Sequence, residues 1–354
     1  MQEYLTTKEA AEKWNITQRR VLASCQNNRI PALNRIGNMW LIPANTPKPA
    51  DNRHLRYVDM RSVAKPFLKW AGGKTQLLVD IDKRLSKLSN FDKYAEPFVG
   101  GGAVLFHVLA NYPVKRAYIS DINADLINTY VIVKTQVEKL IKILSLIEQE
   151  FLDKNEAQRK AYYYQKREKF NSLKASQQTQ KIEKASLFIF LNHTCFNGLY
   201  RVNRKGEFNV PMGAYRNPLI CDADNLRRIS KLLQGVEIVC ADYKKSINFI
   251  DKNTMVYFDP PYRPLTQTAS FTSYTKEEFD DDAQIELAHY VGKAHSKHAK
   301  ILLSNSDPKN VNPKDSFFDK LYSAFNIERV LATRMINCKH SARGKIKELL
   351  IANF

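Results

Sequence analysis

Along this chain the apolar residues keep two different periods, and where one gives way to the other the expected elements begin and end. Tyr94-Ala-Glu96 is a short strand that runs into Pro97, Phe98 and a glycine triplet, and Ala103 to Leu109 is an apolar helical run behind it. Arg116 to Asp121 predicts a second strand. Asp121-Ile-Asn-Ala-Asp125 then opens a helix with Ile127, Tyr130, Val131, Val133 and Val137 on its apolar face. Val236–Cys240, Met255–Phe258 and Lys300–Asn305 read as further strands, and Lys276 to Lys297 as a helix. Ile327–Leu331 and Glu348–Ala352 read as a closing antiparallel pair. Strands alternating with helices in this way predict an α/β fold built on a Rossmann-like sheet.

Two stretches depart from that alternation. From Leu140 to Lys184 the pattern stays helical but turns charged, which predicts an inserted, mainly helical subdomain over residues 140–218, between catalytic-domain segments 65–139 and 219–354. At the other end, residues 1–45 form a small module of their own. A threonine cap precedes a helix with Ala10, Ala11 and Trp14 on one face, and Asn15-Ile-Thr17 turns the chain into a second helix. That second helix turns Val21, Leu22 and Cys25 inward and Gln18, Arg19 and Arg20 outward. Ile30 to Pro43 adds a hairpin turning at Gly37-Asn38, so the module reads as a winged helix-turn-helix with Arg19 and Arg20 toward DNA. A helical docking bundle is the rival reading. Residues 46–64, polar and proline-bearing, read as a linker.

Composition narrows the partners. The 354 residues carry 55 Lys and Arg against 36 Asp and Glu, a formal charge of +19, which favours a polyanion and salt-sensitive binding. No apolar run approaches the ~18–20 residues of a membrane span, and no leader is visible, so a cytoplasmic, nucleoid-associated protein of bacterial or phage type is expected. Cys25, Cys195, Cys221, Cys240 and Cys338 show no Cys-x-x-Cys pair and no zinc spacing, which predicts buried free thiols and no metal. His289, His295 and His298 sit in lysine-rich helical stretches and read as solvated.

The chemistry concentrates in Thr254-Met-Val-Tyr-Phe-Asp-Pro-Pro-Tyr262. Pro260 and Pro261 cannot continue a sheet ladder, so Asp259 is presented at the carboxyl end of a buried strand, the edge where open α/β sheets bind ligands. The Asp259 carboxylate and the Pro260 carbonyl each accept a hydrogen bond, and the Tyr262 ring offers a stacking face. An exocyclic amine of a nucleobase is conjugated into its ring. Two acceptors that draw its hydrogens out of plane localise the lone pair for attack on a methyl sulfonium. The turn Glu96 to Gly102 with Asp121 further on suits a ligand held by backbone amides and a ribose by a carboxylate, a pattern equally at home in a nicotinamide enzyme. The loop 201–216 joins Arg, Asn and aromatic residues, as nucleic-acid contacts do, with Arg201 suited to guanine. Phe271 to Tyr274 lie where a segment would close over the corner.

Taken in order, these motifs resemble the Dam family of adenine-N6 DNA methyltransferases. The resemblance runs over residues 65–354 through Phe67-Leu-Lys-Trp-Ala-Gly-Gly-Lys74, Glu96-Pro-Phe-Val-Gly100, Ser120-Asp-Ile-Asn123, Asn197-Gly-Leu199, Gly206-Glu-Phe-Asn-Val-Pro211 and Asp259-Pro-Pro-Tyr262. It implies S-adenosylmethionine as donor, S-adenosylhomocysteine as product, double-stranded DNA as substrate with GATC as the site, and a monomer. A cognate restriction endonuclease is a candidate partner. By position it implies donor contacts from Trp70, Lys74, Glu96, Pro97, Phe98, Gly100, Gly102, Asp121 and Asp259, and catalysis by Asp259, Pro260, Pro261 and Tyr262. Lys69 would meet the first base pair, Leu199 and Pro211 the thymine methyl and Arg201 the inner guanine, with Asn197 and Tyr215 in the same DNA-contacting set. Phe196 stands at a wedge position usually held by tyrosine, and Ala214 where a basic residue is usual. The amino-terminal module lies outside the family pattern. A DNA-binding regulator with a methyltransferase-like sensor domain, and an enzyme acting on RNA or cytosine, are the rival readings.

Overall fold

The computed structural model describes residues 4–14, 16–26, 30, 34–37, 39–46, 64–88, 91–173, 177–263, 279–333 and 345–354. The chain divides into two compact units, Met1–Val63 and Ala64–Phe354.

In the first unit β1 (Tyr4–Leu5) is followed by α1 (Thr7–Trp14), α2 (Gln18–Gln26), β2 (Asn34–Ile36) and β3 (Met39–Pro43). Thr6 and Glu9 cap α1 reciprocally, the Glu9 amide donating to Thr6 Oγ1 at 3.3 Å and the Thr6 amide to Glu9 Oε2 at 2.8 Å. Ala10, Ala11, Trp14, Val21, Cys25, Ile30 and Ile42 form the core, while Leu22 is only half-buried and Arg19 is exposed. Arg20 lies on α2, its side chain outside what is described. The hairpin turns through Gly37 at φ 58°, and the pairing of Tyr4 with Pro43 adds a third strand that two residues are too short to signal by periodicity. The expected linker falls, over 47–63, outside the described residues.

The second unit opens with a single 3-10 turn and α3 (Leu78–Leu85), then β4 (Lys93–Glu96), α4 (Ala103–Asn111), β5 (Arg116–Asp121) and α5 (Ala124–Thr135). Three helices follow without a strand, α6 (Val137–Leu152), α7 (Glu156–Ser172) and α8 (Gln178–Thr194), and then α9 (Ala223–Leu232). The last part holds β6 (Val236–Cys240), β7 (Thr254–Phe258), α10 (Asp281–Ser296), β8 (Lys300–Ser306), α11 (Phe317–Leu321), β9 (Asn326–Thr333) and β10 (Lys345–Ala352). The strands make one seven-stranded sheet in the order β6-β5-β4-β7-β8-β10-β9. The pairings β6-β5, β5-β4, β4-β7 and β7-β8 are parallel, and β10 runs antiparallel to both β8 and β9.

Because β5 and β6 lie on one side of β4 while β7 and β8 lie on the other, the connections diverge between β4 and β7. The carboxyl ends of those two strands flank the crevice where open sheets of this kind bind ligands. Alternate residues of the strands feed two cores: Tyr94, Met255, Tyr257 and Leu302 pack on one face with Phe106 and Tyr130, while Ala95, Val256, Phe258 and Leu303 pack on the other with Leu287, Tyr290 and Phe318.

Helix α8 packs against α5, α6 and α7, and its run from Leu187 to Leu191 is buried all round. The helical stretch expected from Leu140 to Lys184 falls on α6, α7 and α8, with the chain turning at Asp153 to Asn155, where Asn155 and Gln158 form a reciprocal cap for α7. Helix α10 starts at Asp281, where the Asp280 carboxylate accepts the Ala283 amide at 2.9 Å and sets the first turn, so Phe279 and Asp280 of the expected helix lie before it, while Lys276 to Glu278 lie outside the described residues. Residues 264–278, and with them Phe271 to Tyr274, lie outside the described residues, as does Cys338. The expectation of buried thiols holds for Cys25 and Cys195 only; Cys221 is half-buried and Cys240 exposed at the end of β6. His289, His295 and His298 are exposed. Among the described residues no helix is long and apolar enough to cross a membrane.

Candidate active site

Strand β7 is buried along its whole length, and the two prolines that follow end its ladder, leaving Asp259 at the crevice. Its Oδ1 meets Lys74 Nζ at 2.7 Å, with the lysine side chain 5% and the aspartate side chain 21% exposed. Ser304 of β8 donates to the same oxygen at 3.0 Å, and the buried Tyr257 hydroxyl lies 2.8 Å from Ser304 Oγ. With the serine hydrogen directed to Asp259, the tyrosine is left to donate to the serine, so the acid terminates a directed chain. Burial raises the Asp259 carboxyl above its ordinary range, while Lys74 and then Ser304 draw it back. Lys74 also donates to the Gly72 carbonyl and holds its ammonium 4.7 Å above the Tyr262 ring. The Tyr262 hydroxyl donates to Glu348 of β10 at 2.7 Å.

At the end of β4, Glu96 is 2% exposed and accepts the Tyr94 hydroxyl at 2.6 Å. Burial pushes this carboxyl well above the usual range, with the nearby Asp259 charge adding to the rise. The turn beyond it depends on glycine. Gly100 has φ 47°, and a β-carbon there would lie 2.9 Å from Trp70 Cδ1. Gly102 has φ 71°, and a β-carbon there would collide with the Tyr130 hydroxyl. Asp121 ties the turn to β5, accepting the Gly100 amide at 3.3 Å and the Asn123 amide at 2.9 Å. Burial raises its carboxyl and those amides lower it. Phe98 stacks on Tyr243 at 5.2 Å, and Phe279 meets Phe98 edge-on at 6.1 Å. Pro97 supplies a carbonyl that accepts Ser120 Oγ at 3.4 Å.

The crevice thus joins Trp70, Lys74, the turn from Glu96 to Gly102, Asp121 and the Asp259-to-Tyr262 corner, all named from sequence. Tyr243, stacked on Phe98, was missed. It follows β6, whose Cys240 pairs with Asp121, and the signal was available in Cys240-Ala-Asp-Tyr243 as an aromatic residue just past the end of a third parallel strand.

A second constellation gathers where α8 ends. Phe196 is 50% exposed and donates its amide to the Pro211 carbonyl at 2.9 Å; Asn197 takes φ 55°. Lys69 Nζ lies 3.9 Å over the Tyr215 ring. Arg201 is exposed, its Nε donating to Asn209 Oδ1 at 2.8 Å, and Leu199 is half-buried beside it. The hairpin carrying these residues closes through a bridge between Val202 and Phe208. Helix α7 supports it, Tyr163 donating to the Val210 carbonyl at 2.8 Å and Asn171 exchanging bonds of 3.1 and 2.9 Å with the Phe208 backbone.

Asn192 was not foreseen and joins the two halves of this surface. It is 3% exposed; its Oδ1 accepts the Lys69 amide at 2.7 Å, and its Nδ2 donates to the carbonyls of Lys69 at 2.8 Å and Gly198 at 3.0 Å. Nothing in the local sequence distinguishes this amide from any other near a helix end. A cavity of about 200 Å³ opens elsewhere, among α6, α7 and α8, lined by Ile143, Leu146, Ile147 and Leu187. None of its lining residues belongs to the crevice.

An acid at the carboxyl end of a buried parallel strand, across a sheet crevice from a glycine turn, is the arrangement of an α/β ligand-binding site. The family model for D12 class N6 adenine-specific DNA methyltransferase matches residues 70–336, and the chain belongs to this family. Among similar curated proteins is Type II methyltransferase M.MjaIII of Methanocaldococcus jannaschii, 52% identical over 82% of this chain and 99% of its own length. Type II methyltransferase M1.LlaDCHI of Lactococcus lactis is 36% identical over 82% of this chain and 95% of its own. DNA adenine methylase of Haemophilus influenzae is 38% identical over 81% and 92%. The protein is therefore an adenine-specific DNA methyltransferase, and membership implies S-adenosylmethionine as methyl donor. The turn at Gly100 and Gly102 packs so closely on Trp70 and Tyr130 that only glycine fits, and its Gly100 amide fixes Asp121 at the end of β5, an acid whose chemistry suits the ribose hydroxyls of such a donor.

Proposed function

We propose that the protein methylates N6 of adenine in GATC within double-stranded DNA, after extruding the base into the crevice between β4 and β7. The observation that carries the reading is the Asp259 carboxylate, fixed by Lys74 and Ser304 at that strand edge. S-adenosylmethionine supplies an electrophilic methyl group and leaves as S-adenosylhomocysteine. The chain's part is to place and polarise the amine. Asp259 and the Pro260 carbonyl accept the two N6 hydrogens, which turns the lone pair out of conjugation, and Tyr262 stacks on the base. Asp259 need not be a strong base, because the amine acquires its acidity as the new N–C bond forms. Trp70, Lys74, Phe98 and Asp121 with the Glu96 to Gly102 turn hold the donor.

Support for GATC comes from the exposed surface at the end of α8. Lys69 and Tyr215 are suited to the first base pair, Leu199 and Pro211 to the thymine methyl, Asn197 and Arg201 to base edges, and Phe196 to the gap left by the flipped base. The unit Met1–Val63 lies outside the range matched by the family model, which begins at residue 70. Its exposed Arg19 and Arg35, the latter stacked 5.2 Å from the Trp40 ring, support a winged helix-turn-helix that adds a second DNA contact. Two of the similar proteins are named type II methyltransferases, which supports a role beside a restriction endonuclease.

The test is transfer of labelled methyl from S-adenosylmethionine to duplexes with and without GATC, followed by digestion with two nucleases that differ in tolerance of methylated GATC. Wild-type protein protects GATC duplex alone, and Asp259→Ala binds it without transferring label. Methylation of RNA, of cytosine or of duplex lacking GATC overturns the substrate assignment. Near-full activity of Asp259→Ala overturns the site.

A further inference from the structure

Tyr262 is held at both ends by residues that no part of the reaction as described so far uses. At its backbone end, the carbonyl of Pro261, which belongs to the peptide joining Pro261 to Tyr262, accepts Gln284 Nε2 at 3.0 Å. Gln284 comes from the first turn of α10 and is completely buried. Its amide has one orientation only: Oε1 accepts Asn305 Nδ2 at 3.2 Å, and Asn305 Oδ1 in turn accepts the Ser306 amide at 2.8 Å. Asn305 is also fully buried. Two buried side-chain amides are therefore spent on one carbonyl of the corner, and a buried amide left unpaired carries a heavy cost. At the far end of the residue, the phenol donates to Glu348 Oε2 at 2.7 Å, from a strand 86 residues further along the chain. An exposed aromatic has two free torsions; with its peptide and its hydroxyl both tied, this ring has one plane.

We infer that Gln284 and Glu348 are positioning residues which set the plane of the Tyr262 ring and so the angle at which the amine of the stacked adenine meets Asp259. The inference rests on the proposed stacking role of Tyr262. Glu348 touches neither substrate in this scheme and acts through the phenol alone, while Asn305 fixes the direction of Gln284. A ring free to tilt leaves binding of the donor intact and lowers the fraction of complexes in which N6 lies in line with the methyl group. The signature is a fall in kcat with little change in the KM for donor.

The experiment uses the full chain and GATC duplex carrying 2-aminopurine at the target adenine for fluorescence, with unmodified duplex for turnover. Glu348→Ala is expected to lower kcat by about tenfold to a hundredfold, as a misplaced reacting group does, with donor KM within about twofold. Glu348→Gln keeps an oxygen facing the phenol and is expected to recover most of that loss. Tyr262→Phe removes the same hydrogen bond, so adding Glu348→Ala to it is expected to cost nothing further, and 2-aminopurine emission is expected to show the base unstacked in every variant. Gln284→Met is expected to repeat the kcat defect; should it fail to fold, the Glu348 and Tyr262 cycle decides alone. Equal loss in Glu348→Gln and Glu348→Ala, or additive losses in the Tyr262→Phe background, overturns the positioning role. Full activity in Tyr262→Ala overturns the stacking reading itself, whereas an inactive Tyr262→Ala beside fully active Glu348→Ala and Gln284→Met leaves that reading standing and removes only the clamp.

Discussion

Replacing Lys74 with methionine removes the cation paired with Asp259 while keeping the length of the side chain. The pair is 2.7 Å apart, with the lysine side chain 5% exposed and the aspartate side chain 21%. Removing one partner of a buried ion pair costs about 3–5 kcal/mol. The Ser304 hydroxyl remains at 3.0 Å and part of the carboxylate reaches solvent, so the lower end, about 3 kcal/mol, applies at alkaline pH. Burial already holds the Asp259 carboxyl above its ordinary range and Lys74 is the largest influence drawing it down, so the substitution lets it rise further. A carboxyl whose pKa is higher in the folded than in the unfolded state keeps its proton longer when folded, and between the two values stability falls as pH rises. In Lys74→Met that window extends further upward. The stability deficit against wild type is full above the raised value and shrinks as pH falls through it. If the ionised acid polarises the amine, the acid limb of the kcat profile moves to higher pH in the variant. Chemical denaturation across a pH series and single-turnover methyl transfer measure the two effects. An acid limb that superposes on wild type or moves to lower pH, or a deficit that grows on acidification, refutes the reasoning.

Gly198→Ala forces a β-carbon into Lys69 at a position with φ 63°, within 2.6 Å of Lys69 Cδ and closer still to its Cβ. Left-handed strain and overpacking together predict a loss of about 2–4 kcal/mol, read by denaturant midpoint, with discrimination between GATC and single-mismatch duplexes falling more than donor affinity. Deleting residues 1–63 is expected to leave methylation of short GATC duplexes within a fewfold of the full chain, since 294 aligned residues account for 99% of M.MjaIII. The same deletion is expected to reduce the salt dependence of binding to long DNA, as fewer phosphates are neutralised; an unchanged salt slope removes the DNA-binding role of that unit.

What could be read along the chain was whatever the chain encodes within a few residues. The strand before Asp259, the glycine turn after Glu96, the acid closing β5 and the hairpin after Asn197 each depend on local pattern and turn chemistry, and each stands in the structure as an element with those residues at its end. Phe279 and Asp280 were expected inside α10 because helix propensity runs through them, and propensity alone does not outrank the cap at Asp280. The supports of the site were invisible for a different reason. Ser304 reaches Asp259 across 45 residues, Glu348 reaches Tyr262 across 86, and Asn192 reaches Lys69 across 123. Ser304 and Asn192 lie in apolar runs, where a polar side chain looks like an ordinary exception, and Glu348 follows the exposed Lys347 at the polar start of β10. What makes those exceptions tolerable is that each buried polar atom is spent on a named partner at the crevice or the reading surface. A serine in the middle of β8 costs stability unless it is paired. Here it is paired with the one carboxylate on which the proposed chemistry depends, so the same hydrogen bond answers both the packing problem and the positioning problem.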